Sequence, residues 1–145
     1  MDTITLKNLN QFIKILDNEE WRQVKGNEKY FISNYGRCFS LYHKKLLKPI
    51  LCADKNVLQY LCYKLTKDKK SKWIRVHRLV ASAFIDNDEN KREVHHKDGN
   101  HLNNHAENLM WVNHAEHVEL HKQLRQQKNQ KKQHKQEGKS YVILR

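Results

Sequence analysis

The apolar positions of this chain change their period several times. Leu6, Leu9, Ile13 and Leu16 recur at spacings of three and four, which predicts a short helix within residues 1–17, started by Thr3 or Thr5 and ended by Asp17-Asn18. Over residues 21–65 the texture shortens to strand-length runs. In YFISNYGRCFSL, Asn34-Tyr35-Gly36 separates two apolar flanks and predicts a tight turn with Gly36 at the permissive position. Pro49, the only proline, suits an edge or a turn. LQYLCYKL (58–65) predicts a strand, residues 67–72 a charged hairpin loop, and KWIRV the returning strand. HRLVASAF then sets Leu79, Val80, Ala83 and Phe84 at helical spacing, a short buried helix with His77 at its start.

The polar stretch DNDENKR separates that helix from a second pattern. REVHHKDG predicts a strand running into an Asp98-Gly99 turn, and LMWV (109–112) a second strand. Asn113 caps a helix, with Glu116 at the third position of a capping box, and that helix continues through Leu120 and Leu124. Beyond Arg125 no apolar stripe remains, so the segment is either a solvated helical extension or disordered until it meets a partner. The terminal SYVILR predicts a short strand. The class is α+β: an N-terminal helix (1–19), a small, mostly β module (20–72), a strand–strand–helix core (73–125) and a basic Lys/Gln-rich tail (126–145) that is helical or flexible.

Composition narrows the function. A chain of 145 residues is one domain's worth, with room for an arm. It has no apolar run near the roughly 18 residues of a membrane span, and MDTITLKNLNQF lacks a secretory pattern, so cytoplasmic use is the expectation. Cys38, Cys52 and Cys62 form no CxxC pair and read as free thiols. Lys and Arg number 28 against 16 acidic residues, a net charge of +12, and residues 122–145 hold eight basic side chains against one acidic. That asymmetry fits a polyphosphate partner, because such a segment displaces counterions from a nucleic-acid backbone. It fits an anionic membrane less well, since the segment has no large apolar face.

Seven of the ten histidines fall between His95 and His121. Adjacent strand residues point to opposite faces, so one of His95 and His96 can bind a metal while the other faces elsewhere. His117 and His121 are four apart on one helical face, with His114 at the cap. Two helical imidazoles and one from a strand make a three-histidine site with open positions, suited to zinc or another late first-row ion more than to magnesium. An i,i+4 histidine pair alone is a weak signal and ten histidines can be surface composition, but the doublet followed by a capped helix carrying HxxxH is a stronger pattern than either half.

VHRLVASAF…VHHKDGNHLNNHAENLMWVNHAEH resembles the HNH endonuclease module of homing and phage type, the ββα-metal or His-Me finger. EEWRQVKGNEKYFISNYGRCFSL resembles the DNA-associated (NUMOD4-like) module that commonly precedes it. The two resemblances span about residues 20–121. They imply a metal-dependent DNA endonuclease that hydrolyses phosphodiester bonds to 5′-phosphate and 3′-hydroxyl ends, nicking or cutting both strands. They imply His96 as general base, Asn108 as the asparagine that holds the two strands and the catalytic loop together, and His95 and His117 as metal positions. Those two positions are usually Asp or Asn, and Asn, in homing members. Histidine at both, with His121 as a third ligand, is closer to the colicin-type site of bacterial toxin nucleases. The ion is one divalent metal: Zn, Mg, Mn or Ni. Asn103 and Asn104 match the family's asparagine pair and shape the loop, while His101 and His105 are bystanders near the DNA path.

The partner is then double-stranded DNA, with no membrane. Arg37, Arg75 and Arg78 are candidates for phosphate clamping near the cleft, each with an ordinary surface charge as the alternative. Lys122, Arg125, Lys128, Lys131 and Lys132 on the tail are the stronger candidates for backbone contact that positions the duplex. One such site cuts one strand, so double-strand cleavage requires a homodimer or two encounters. The rival reading is a catalytically inactive DNA-binding protein whose metal is structural. A nuclease directed at RNA is a third.

Overall fold

The computed structural model describes residues 3–53, 55 and 59–143, with side chains as far as residue 136. The first sheet is an antiparallel meander of β1 (Trp21–Val24), β2 (Asn27–Ser33), β3 (Cys38–Ser40) and β4 (Lys45–Leu46). Its centre, β2, reads Tyr-Phe-Ile-Ser without a polar break because both of its faces are covered. Tyr30 and Ile32 face the main core, whereas Phe31 stacks on Phe39 in a smaller cluster closed by Ile4 and Leu9. The β2–β3 connection is the expected turn, with the Gly36 N–H on the Ser33 carbonyl (3.0 Å) and Gly36 at φ +86°.

The N-terminal segment departs from its apolar spacing. Where a helix is expected there is a single 3-10 turn at Leu9–Gln11. Asn8 competes for the backbone: its Oδ1 accepts the Thr5 N–H at 2.7 Å and its Nδ2 donates to the Thr3 carbonyl at 3.0 Å. Ile4 and Leu9 are buried while Leu6 and Leu16 stay exposed, so no helical stripe docks.

The second sheet is β5 (Ile50–Ala53), β6 (Gln59–Lys67) and β7 (Lys70–Arg75), with Pro49 in the connection before β5. The charged hairpin loop is only two residues long. Asp68 and Lys69 both take positive φ, 50° and 63°, as a two-residue turn matched to strand twist demands.

Helix α1 (Val76–Phe84) follows directly and is the centre of the molecule. Val76, His77, Leu79, Val80 and Ala81 are buried on it, and it packs on β1, β2, β6 and β7 as well as on the last two strands. Those strands, β8 (Glu93–His96) and β9 (Leu109–Val112), form an antiparallel pair with His95 opposite Met110 and His96 opposite Leu109. A single main core therefore takes Val24, Tyr30 and Ile32 from one end of the chain, Val80 from α1, and Val94 and Leu109 from the other.

Helix α2 (His114–Ile143) starts on the expected capping box. The Glu116 N–H donates to Asn113 Oδ1 at 2.8 Å, and the Asn113 N–H donates to Glu116 Oε2 at 2.9 Å. Of the two alternatives for the tail, the helical extension is the one found. The strand expected from SYVILR is not formed over 140–143, which continue α2; residues 144 and 145 lie outside the described residues. The Gln/Lys/Glu run ahead of it consists of good helix formers and carries the helix on. Among the described residues no helix is long and apolar enough to cross a membrane.

Candidate active site and metal centre

The β8–β9 pair divides its adjacent histidines as strand alternation requires. Both are buried, and they face different neighbours. The His95 ring lies 5.5 Å from His117 and 5.4 Å from His121, in edge-on contact with each. The latter two share one face of α2, with their Nε2 atoms 2.9 Å apart. Each of the three offers a nitrogen, and these nitrogens all lie within 4.8 Å of one another.

This trio fits a divalent ion on the chemistry of its donors. Nδ1 of His95 is buried with no hydrogen-bond partner, an expensive condition for a ring nitrogen. Burial, with His121 and His117 close by, pushes the His95 pKa down to about 4, and burial likewise lowers that of His121. Both rings are thus kept neutral, the form that ligates. Nδ1 of His117 is 3.3 Å from Glu93 Oε2, and Nδ1 of His114 is 3.3 Å from the other oxygen. A carboxylate on Nδ1 fixes the tautomer that leaves Nε2 of His117 for the centre.

His96 turns toward α1 and the loop. Its Nε2 is 2.9 Å from Asn104 Oδ1, so the ring donates there and Nδ1 is left as the acceptor. Desolvation lowers its pKa against the contrary effect of Asn104. His77 meets it edge-on at 4.9 Å, and burial followed by His96 drives the His77 pKa down to about 3. His96, His117, His121 and Glu93 open onto a cavity of about 320 Å³ that is also lined by Arg75, Arg78, Tyr60 and His77. A larger groove of about 670 Å³, with Lys67, Lys70 and Lys72, has no histidine cluster but shares Arg78.

Asp98 and Asn108 hold the intervening loop. Asp98 Oδ1 accepts from Asn108 Nδ2 (2.9 Å) and the Asn100 N–H (2.8 Å), and Oδ2 accepts from Asn103 Nδ2 (2.9 Å). Asn108 returns its Oδ1 to the Asp98 N–H at 3.1 Å, donates to the Asn103 carbonyl at 2.9 Å, and takes the Lys97 N–H on its own carbonyl at 2.8 Å. Asn108 thus fastens both ends of the loop at once.

Several expectations shift in place. Arg37 is not at the cleft: it grips the buried Glu19 through Nε at 2.8 Å and a second, shorter contact, donates to the Lys14 carbonyl at 2.7 Å, and lies over Trp21. Its charge is engaged in closing the N-terminal arm, and it is not among the residues that line the cavity. Arg75 lies over Tyr60 at 4.2 Å and Arg78 donates to the Arg92 carbonyl at 3.0 Å, both on the cavity. Lys122, Arg125, Lys128, Lys131 and Lys132 are exposed along α2. His101 is part of the cavity wall, stacked on Tyr60 at 5.0 Å, and His105 stacks on Tyr35 at 4.6 Å.

Sequence reasoning passed over Glu93, the Asn104 contact and the hub role of Asp98. Glu93 had a usable signal: it lies two residues before His95, hence on the same strand face. The tautomer partner of His96 is the side chain of Asn104.

Residues 75–119 match the HNH endonuclease family and residues 19–66 match the NUMOD4 motif. The chain is 40% identical over 101 residues to DNA endonuclease I-HmuI of Bacillus phage SP01, covering 69% of this chain and 56% of that one. It is 39% identical over 99 residues to the uncharacterized HNH endonuclease L245 of Acanthamoeba polyphaga mimivirus, covering 68% of this chain and 28% of the relative. The solved structure described as DNA binding and cleavage by the HNH homing endonuclease I-HmuI superposes with a TM-score of 0.60 at 40% identity, again over 69% of this chain and 56% of that one. The chain thus spans between about a quarter and just over half of these relatives.

Proposed function

This chain belongs to the HNH endonuclease family and carries a NUMOD4 motif ahead of its HNH module, and from that premise we propose that it is a metal-dependent DNA endonuclease with His96 as general base. The observation that carries the reading is the division of His95 from His96. One ring joins His117 and His121, the other is neutral and hydrogen-bonded, and His96, His117 and His121 open onto one cavity with Arg75 and Arg78.

His95, His117 and His121 would hold the ion, and a divalent ion bound there would supply positive charge to the scissile phosphate and the departing 3′ oxygen. His96, anchored through Nε2, takes a proton on Nδ1 from the water that attacks in line, and its lowered pKa keeps it unprotonated near neutral pH. Arg75 and Arg78 orient phosphate oxygens, and Asn108 holds the loop that follows His96. The products are a 5′ phosphate and a 3′ hydroxyl. The basic face of α2, Lys122 to Lys132, meets the duplex backbone without reading sequence. One site cuts one strand, so a double-strand break takes a homodimer or a second encounter.

Supercoiled plasmid incubated with the protein and Mg²⁺, Mn²⁺, Zn²⁺ or Ni²⁺ in turn tests this. Nicking that vanishes in His96→Ala while DNA binding persists is the expected result. Equal cleavage by that variant, or binding without cleavage under every metal, would overturn it in favour of a DNA-binding protein with a structural ion.

A further inference from the structure

Three consecutive residues of the first sheet's turn meet three consecutive residues of the catalytic loop in reverse order. The Asn34 carbonyl accepts the Ala106 N–H at 2.8 Å. The Tyr35 ring stacks on His105 at 4.6 Å, with 24° between the planes. Gly36 backs onto Asn104 so closely that a Cβ there would lie 3.3 Å from Asn104 Cβ and 3.1 Å from Val76 Cγ1. Asn104 is the residue whose Oδ1 receives His96 Nε2, and it is 4% exposed.

We propose that the Asn34-Tyr35-Gly36 turn is a positioning element for His96, acting through Asn104, so that the N-terminal module sets the orientation of the base as well as whatever it does toward DNA. The turn is itself rigidly held, as a support must be. Asn34 Oδ1 accepts the Glu20 N–H at 2.8 Å, Asn34 Nδ2 donates to the Asn18 carbonyl at 3.2 Å, and the Gly36 carbonyl accepts the Tyr63 hydroxyl at 2.7 Å. Glycine is required at 36 on two counts: φ is +86°, and a side chain would push Asn104 by a few tenths of an ångström. The displacement passes to the His96 ring because Asn104 Oδ1 is the hydrogen-bond partner on that side, and general-base catalysis is steeply sensitive to such shifts.

The assignment of His96 as base comes from the proposed function, so the test has two separate readouts. In ¹⁵N–¹H spectra the His96 Nε2–H signal should be sharp in the wild type, lost in Asn104→Ala, and weakened in Gly36→Ala and Tyr35→Ala, while Tyr35→Phe, which keeps the stack, retains it. Single-turnover cleavage should slow by about tenfold in Gly36→Ala at unchanged DNA affinity, and Gly36→Ala should add nothing in an Asn104→Ala background. Tyr35→Ala carries the same cycle should Gly36→Ala fail to fold. A wild-type His96 signal in both turn variants, or additive effects with Asn104→Ala, would overturn the proposal. A wild type that cuts nothing would sink the nuclease reading, while the spectra would still decide the positioning role.

Discussion

Glu93 bridges His114 and His117, its two carboxylate oxygens each 3.3 Å from an Nδ1. The His117 contact is the one with a chemical consequence, because it settles which nitrogen of that ring faces His95 and His121. Glu93→Gln keeps the size and loses the charge. Metal affinity, measured by competition with a chromogenic chelator, should fall between about 10- and 100-fold. An unchanged affinity would reduce the contact to an ordinary surface pair.

The ligand set separates in the same assay. His95→Ala, His117→Ala and His121→Ala should each lower metal affinity or stoichiometry. His114→Ala should not, since its side chain is 84% exposed and stands outside the trio. Full binding by His121→Ala would return the centre to two histidines.

Asn108 and Asp98 make a clamp whose parts are neutral and charged, respectively. Asn108→Ala breaks three side-chain hydrogen bonds and leaves the Asp98 N–H without its acceptor. Urea unfolding should show a loss of about 1–3 kcal/mol, accompanied by slower cleavage as the loop after His96 loosens. A variant with full stability and full activity would show that the backbone alone holds the loop.

Arg37 and Arg78 should fail in different ways. Glu19 has its side chain fully enclosed, and Arg37→Gln strands that carboxylate, so stability should drop by about 3 kcal/mol or more. Arg78→Gln should leave the melting temperature nearly unchanged while weakening cleavage. Equal melting temperatures for the two would contradict the division.

Acid should unfold the metal-free protein by way of its buried imidazoles. His77 has a folded pKa near 3, far below the unfolded value of about 6.5. Its contribution to stability is complete above the unfolded value. As pH falls below it, the unfolded chain takes a proton that the native ring refuses, and stability drops by about 1.4 kcal/mol per pH unit for each such group. His95, at about 4, adds in the same direction. Melting temperatures from pH 7.5 to 5 should therefore fall, and less steeply in His77→Phe.

How much of this could be read in advance differs from element to element. The β8–β9–α2 unit was legible because its signals are local: alternation around His95-His96, a turn at Asp98-Gly99 and a capping box at Asn113. The grouping of His95, His117 and His121 followed from the same local geometry plus the family resemblance. A polar loop separates His77 from the cluster in sequence, and only the packing of α1 under β8 brings it to 4.9 Å from His96. The pairing of Arg37 was not legible because a lone arginine next to a turn carries no mark of the acid 18 residues upstream that it grips. The N-terminal helix failed where a single asparagine side chain outbid a short apolar stripe.

Helix α1 buries Leu79, Val80 and Ala81 in a core built from strands on both sides of it in sequence. A division of the chain near residue 72 is natural on the page, yet it would strip the downstream half of Tyr30, Ile32 and Tyr63, the side chains its helix rests on. The HNH module is accordingly no cassette that could be lifted out and grafted elsewhere. Any exchange with a relative would have to carry the upstream sheet along, or rebuild the face of α1 to rest on a new one.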